Sequence, residues 1–188
     1  MRLPQIVAAS VCVLLMAATT AHAEKSTFGV EAGITMSRFT PDGPGESESM
    51  STGGMAGLYM TVPITKTISL MPELHWAGKY ASRTGTTLGS DVKADYVELP
   101  ILVKMPFYWG TYFAEGIAFA WPVGVQGFAQ HLDNTGSDFT IIIGGGHPIG
   151  KHAAIEFRYD GGLRRVSTRD TDPIQRTRSY MFFFRLHK

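Results

Sequence analysis

The chain has 188 residues, 44% hydrophobic and 18% charged, with 17 Lys and Arg against 16 Asp and Glu. That near-neutral balance gives no support to nucleic-acid binding, and the single cysteine, Cys12, rules out an intrachain disulfide framework. No stretch after the first 23 residues approaches 18 consecutive apolar positions, so no transmembrane helix is expected.

The N-terminus reads as a secretory signal. Arg2 supplies a positive start, and Ile6 to Met16 is apolar apart from Ser10 and Cys12. Ala21-His22-Ala23 has the small-x-small form of a cleavage site. Cleavage after Ala23 leaves one domain, residues 24–188. The apolar run is too short for an anchor, and Val11 before Cys12 does not fit a lipoprotein signal. Removing Arg2 leaves 16 basic and 16 acidic residues, and no cysteine. An exported chain without disulfides needs another source of stability. A closed sheet supplies one, because its hydrogen-bond ladder is complete and no edge is left unpaired.

From residue 26 onward, alternating segments predict eight strands. In the first, Phe28, Val30, Ile34 and Met36 alternate with Gly29, Glu31, Gly33 and Thr35, a period of two that separates the two sets onto opposite faces. The third sets Ile68, Leu70, Leu74 and Trp76 against Ser69, Glu73, His75 and Lys79. The fourth sets Val97, Leu99, Ile101, Val103 and Met105 against Tyr96, Glu98, Pro100 and Lys104; Pro100 lacks a ladder donor, which predicts a bulge or local break there. The fifth, around 112–126, contains Pro122 and carries Glu115 on its bulkier face, so its register stays unassigned. The sixth carries Gly144-Gly145-Gly146, expected to permit tight curvature. In the seventh, Ala153, Ile155, Phe157 and Tyr159 oppose His152, Glu156, Arg158 and Asp160. In the last, Tyr180, Phe182, Phe184 and Leu186 oppose Ser179, Met181, Phe183 and Arg185.

The connections alternate in length. Residues 40–52, 80–92, 127–137 and 161–175 read as long loops, and 63–67, 107–111 and 147–151 as short turns. Short turns at one end and long loops at the other predict an all-β, eight-stranded, antiparallel, up-and-down transmembrane barrel, with the short turns periplasmic. Which face is inside follows from charge. Basic residues near the middle of a lipid-facing surface cost ~2–4 kcal/mol each, so the charged faces should point inward. A soluble ligand-binding barrel would reverse this. The turn Phe107-Tyr108-Trp109, flanked by Tyr112 and Phe113, favours the membrane form because it suits an interfacial aromatic girdle.

Four strings carry a family resemblance: MPELHWAGKY (71–80), DYVELPILVKMPF (95–107), YFAEGIAFA (112–120) and AIEFRYDGGLRRV (154–166). With them the chain resembles the PorT-like outer membrane β-barrel family over nearly the whole mature length. The resemblance implies an eight-stranded, porin-like outer membrane barrel in a Gram-negative envelope, and no single biochemical activity. Gly78-Lys79 inverts the family's usual order, and the chain ends on Leu186-His187-Lys188 where such barrels commonly finish on an aromatic.

The expected interior polar cluster is Glu31, Glu73, His75, Lys79, Glu98, Lys104, Glu156, Arg158 and Arg185, with Glu115 left open. Eight strands leave room only for side chains, so a paired-charge plug is favoured over a conducting path. No catalytic residue, metal or cofactor is expected: no serine pairs convincingly with His75, and His147 and His152 flank a turn. Arg164, Arg165, Arg169, Arg176 and Arg178 are candidate contacts for outer-membrane lipid phosphates, with Asp160, Asp170 and Asp172 placed to neutralise them. Asp42, Glu46 and Glu48 form no defined cation site. The expected function is structural or surface interaction through the long loops, with membrane lipids or an envelope or extracellular protein as partner. A small-solute channel is the alternative, and a lipid-modifying enzyme ranks below both.

Overall fold

The computed structural model describes residues 26–41, 47–84, 92–126, 138–163 and 175–188. The predicted signal segment and cleavage point lie outside these residues, as do 42–46, 85–91, 127–137 and 164–174. Eight strands follow in chain order: β1 (Thr27–Pro41), β2 (Ser47–Pro63), β3 (Ser69–Thr84), β4 (Val92–Pro106), β5 (Tyr112–Gln126), β6 (Asp138–Ile149), β7 (Ala153–Gly162) and β8 (Gln175–His187). Each pairs with its sequence neighbours, and β8 returns to β1, so the sheet closes into an antiparallel up-and-down barrel. The closing seam runs from Gly29↔His187 to Pro41↔Gln175. Among the described residues no helix is long and apolar enough to cross a membrane.

Alternation fixes the faces. Glu31, Thr35, Glu73, His75, Lys79, Glu98, Glu156, Arg158 and Arg185 are all buried inside, while Phe28, Ile34, Trp76, Ile143, Phe157, Phe182 and Phe184 face outward. Putting the charges inside and the large apolar side chains outside makes the outer wall a surface for lipid. Tyr80, Tyr159 and Tyr180 stand on the outer wall toward the long-loop end, with the Tyr159 and Tyr180 rings 5.3 Å apart. Phe107, Tyr108 and Trp109 project from the short-turn end, Trp109 being 93% exposed. The outer wall therefore carries aromatics toward both ends, as interfacial girdles require. Trp109 and Gly110 both have positive φ, which folds this turn tightly enough for the Thr111 amide to donate to the Tyr108 carbonyl at 3.1 Å.

Several local expectations change. The strands run further toward the long-loop end than expected: β1 reaches Pro41, β2 starts at Ser47, and β3 reaches Thr84. A membrane needs only about 9–11 residues of tilted strand. Strands of 15 to 17 residues such as β1 to β5 therefore project beyond the apolar band, where polar residues hide the ladder from an amphipathic reading. At Pro100 the β3–β4 pairing lapses between Pro72↔Ile101 and His75↔Glu98, then resumes in the same register. The irregularity between β4 and β5 sits instead at Asp95/Tyr96, where Tyr96 meets Pro122. A second lies in β2 between Met50 and Met55.

The glycine triplet remains a regular part of β6 and provides close approach rather than a bend. A Cβ at Gly144 would lie 2.4 Å from the Phe157 carbonyl and 2.6 Å from Arg158 Cγ, and one at Gly146 would lie 2.4 Å from the Tyr112 ring. The missing side chains leave room inside for an arginine and a tyrosine. Small residues do the same on β5, where Ala114, Ala118 and Ala120 face inward. Two apolar clusters fill what the charges leave: Met71, Leu102, Ala114, Ala118 and Ile142, and Met55, Ala77, Met181 and Phe183.

Candidate functional site

The barrel interior gathers the charged residues into two connected groups. The first is built on Glu73 of β3, which is fully buried. Arg158 of β7 donates to it through both terminal nitrogens, Nη1 to Oε2 at 2.5 Å and Nη2 to Oε1 at 2.7 Å. This is the two-pronged guanidinium–carboxylate geometry, the strongest common form of charged hydrogen bond. Arg158 Nε also donates to Glu156. Arg185 of β8 reaches three strands: it pairs with Glu31 at 2.9 Å, with Glu156 at 3.1 Å, and closely with Glu73. His75 contacts Glu73 at 2.9 Å and also Glu31. Tyr112 donates its hydroxyl to Glu156 at 2.6 Å. Aromatic faces complete the shell: the Arg185 guanidinium lies 4.3 Å from the Tyr59 ring, and that of Arg158 lies 4.9 Å from Phe183.

The second group lies nearer the long-loop end. Lys79 of β3 binds Asp160 at 2.5 Å and Glu98 at 2.6 Å, beside the Tyr96 ring at 5.4 Å. Asp138 shares the Glu98 level through the pairings Glu98↔Ala120 and Ala120↔Asp138, and accepts from the Thr177 hydroxyl at 3.2 Å. These groups answer the electrostatic problem of a narrow lumen, where removing a charge from water is costly unless partners are well placed.

Ligand atoms of Glu31, Glu73 and His75 lie within 4.8 Å of one another, close enough to surround a metal ion. Two guanidiniums already share Glu73, and one of them also holds Glu31. The positive charge these carboxylates require is therefore supplied by the protein, which makes this a salt-bridge centre.

The structure brings Glu31, Glu73, His75, Glu156, Arg158 and Arg185 together, and joins Lys79 to Glu98. Lys104 stands apart at the short-turn end: it lies 3.9 Å above the Tyr112 ring and has no carboxylate partner among the described residues. Glu115 is exposed on the outer wall, between Val103 and Ile143. Three residues above the strand start, it lies ~7 Å along the membrane normal from that end, near the edge of the band, where acids are tolerated more readily. Asp160 does not neutralise loop arginines; it points inward to Lys79. Its place in the alternation with Glu156 and Arg158 carried that signal. Tyr96 lies inside on the Glu98 face of β4, as its alternation predicts, whereas Asp138, Tyr59 and Tyr112 are interior members that polar-in reasoning missed. His147 and His152 are exposed at the short-turn end.

Of the candidate phosphate-contacting arginines, 164, 165 and 169 lie outside the described residues, and Arg176 is placed only by its backbone in β8. Arg178 is exposed on the outer wall directly opposite Arg38 of β1.

A closed eight-stranded barrel with a charged interior, an apolar outer wall and aromatics toward both rims is the architecture of a small transmembrane β-barrel. Residues 8–180 match the model of the outer membrane protein beta-barrel domain, and the chain belongs to that family. Comparison with curated protein sequences finds no significant match. Among solved structures, the Neisserial surface protein A is similar at 8% identity over 87% of this chain and 99% of its own, TM-score 0.56. OprG of Pseudomonas aeruginosa matches at 10% identity over 88% and 97%, TM-score 0.52. Ail, the attachment invasion locus protein of Yersinia pestis, matches at 10% identity over 88% and 100%, TM-score 0.51. At these identities the likeness concerns the fold.

Proposed function

We propose that this outer-membrane barrel is a structural or surface-interaction protein that works through its long-loop end, and that its lumen does not conduct. The observation carrying this reading is the interior network, in which Glu31, Glu73, Glu98, Glu156, Arg158 and Arg185 are all at most 3% exposed. A diffusion pore needs water along its axis, whereas here ion pairs and aromatic rings occupy the cross-section. In planar-bilayer recordings, purified protein is expected to give no conductance above background. Steady unitary currents would reject the sealed lumen in favour of a small-solute channel.

Catalysis on lipid is disfavoured by the surroundings of His75, whose described side-chain partners are two carboxylates and no serine hydroxyl. Unchanged lipid A and phospholipid profiles on deletion or overexpression are expected. The strings at 71–80, 95–107, 112–120 and 154–166 support placement in the PorT-like branch of the family. Export by a signal cleaved after Ala23 belongs to the same proposal, and N-terminal sequencing of the mature protein tests it. The outward Arg38 and Arg178 supply two positive charges at one place on the outer wall toward the long-loop end, suited to phosphate groups of outer-leaflet lipid. A protein partner would engage the loops. Surface proteolysis of intact cells, cutting within 85–91, 127–137 or 164–174, tests their outward orientation.

A further inference from the structure

The interior cations are not treated alike. Lys79 is held by two carboxylates, Arg158 by two, and Arg185 by three. Lys104 has none among the described residues. Lys104 lines a chamber of about 70 Å³ at the short-turn mouth of the barrel, together with Thr27, Tyr59, Thr61, Tyr112, Ala154, Arg185 and His187. Among the described residues no carboxylate lines this chamber.

We infer that the chamber is a binding site for a small oxyanion of the phosphate class, with Lys104 as its principal charge partner. Three observations converge on it. Lys104, a half-buried cation beside this space with its ammonium over an aromatic face, lacks the opposite charge that Lys79, Arg158 and Arg185 have among the described residues. The other chamber groups offer donors rather than acids: the Thr27 and Thr61 hydroxyls stand opposite each other across the β1–β2 ladder. The other polar side chains of the lining are already engaged. The Tyr112 hydroxyl donates to Glu156, and the Tyr59 hydroxyl engages His187 Nδ1 at 3.0 Å, while His187 Nε2 is taken by the Lys151 carbonyl at 3.1 Å.

Size sets the ligand class. A chamber of about 70 Å³ walled by a lysine and hydroxyl groups suits an inorganic oxyanion or the tip of a phosphorylated headgroup. Its walls come from the short-turn ends of β1, β2, β4, β5, β7 and β8, so in this class of barrel it opens toward the periplasm. Free phosphate and a phosphate headgroup of the inner leaflet present the same chemistry to it.

The test uses the whole mature barrel, isotope-labelled and refolded in a phosphate-free detergent, followed by amide NMR. Inorganic phosphate is titrated in one arm and short-chain phosphatidic acid in the other. Saturable shifts confined to Thr27, Thr61, Lys104 and His187 are expected in at least one arm. Shifts with inorganic phosphate assign a free anion, and shifts with phosphatidic acid alone assign a lipid headgroup. Lys104→Met should weaken the response about tenfold or more, and Lys104→Arg should retain it, because a charged hydrogen-bond donor is lost in the first and kept in the second. Should Lys104→Met not refold, Lys104→Gln replaces it. No saturable shift in either arm with the wild-type barrel overturns the inference, as does undiminished affinity in the Met or Gln variant.

Discussion

Glu73→Gln is the most informative single change, because it removes one charge and almost no volume. Glu73 accepts two hydrogen bonds from Arg158 at 2.5 and 2.7 Å, one from Arg185, and a contact from His75 at 2.9 Å. With an amide in its place, Arg158 keeps only Glu156, and Arg185 keeps Glu31 and Glu156. The amide nitrogen must also face a guanidinium donor. Breaking a fully buried ion pair from one side costs about 3–5 kcal/mol, and the surviving carboxylates keep the loss within that range. Urea unfolding of the refolded barrel in lipid vesicles, followed by tryptophan fluorescence and by heat-modifiable gel mobility, measures it. The double change Glu73→Met with Arg158→Met removes donor and acceptor together, and should fall short of the sum of the single losses by about 1–3 kcal/mol. If Glu73→Gln shifts stability by less than ~0.5 kcal/mol, the size of an ordinary surface substitution, the interior network is not what holds this barrel.

The barrel wall gives three further expectations. Ile117→Arg, five residues along β5 from Tyr112 and so ~12 Å along the membrane normal, places a cation near the middle of the lipid face and should destabilise the barrel by about 2–4 kcal/mol in the same unfolding assay. Trp76 projects outward, so lipids brominated on their acyl chains should quench its emission, and Trp76→Phe should abolish that part of the quenching. Gly116→Ala would put a Cβ 2.1 Å from the Ile101 carbonyl and should cost about 1–3 kcal/mol, whereas Gly54→Ala, with nothing nearer than 3.8 Å, should be tolerated; comparing their urea midpoints tests the packing.

The parts of this barrel that were legible in the sequence are those where one face is uniformly apolar. The alternations through Phe28 to Met36, Trp76, Phe157 and Phe184 gave the strand count and the outward face directly. β5 was not legible because its inward residues are Ala114, Ala118 and Ala120, small rather than polar, while its outward face includes Glu115. What selects those alanines is the bulk of arginine and tyrosine side chains from other strands, a tertiary fact with no local signature. The same reason turns Gly144 and Gly146 from expected bend points into clearance. Charges on the polar faces were readable as a set, yet their partners were not: that Lys79 belongs to Asp160 and Arg158 to Glu73 depends on side chains meeting across the lumen, 81 and 85 positions apart. Lys104 shows the limit of the polar-in rule, since facing inward gave it an aromatic ring and no carboxylate partner among the described residues.

Arg185 sits on β8, the strand that closes the barrel against β1, and touches acids on the first, third and seventh strands. Until β8 arrives, Glu31 has no cation beyond a histidine, and Glu73 and Glu156 must share Arg158. A seven-strand intermediate is thus kept electrically incomplete, and shutting the sheet early between β7 and β1 would trap surplus negative charge in a dry space. Sheet closure and charge balance are completed by the same strand. A chain truncated before Gln175 is accordingly expected to give no compact, heat-modifiable species, while the full-length chain does.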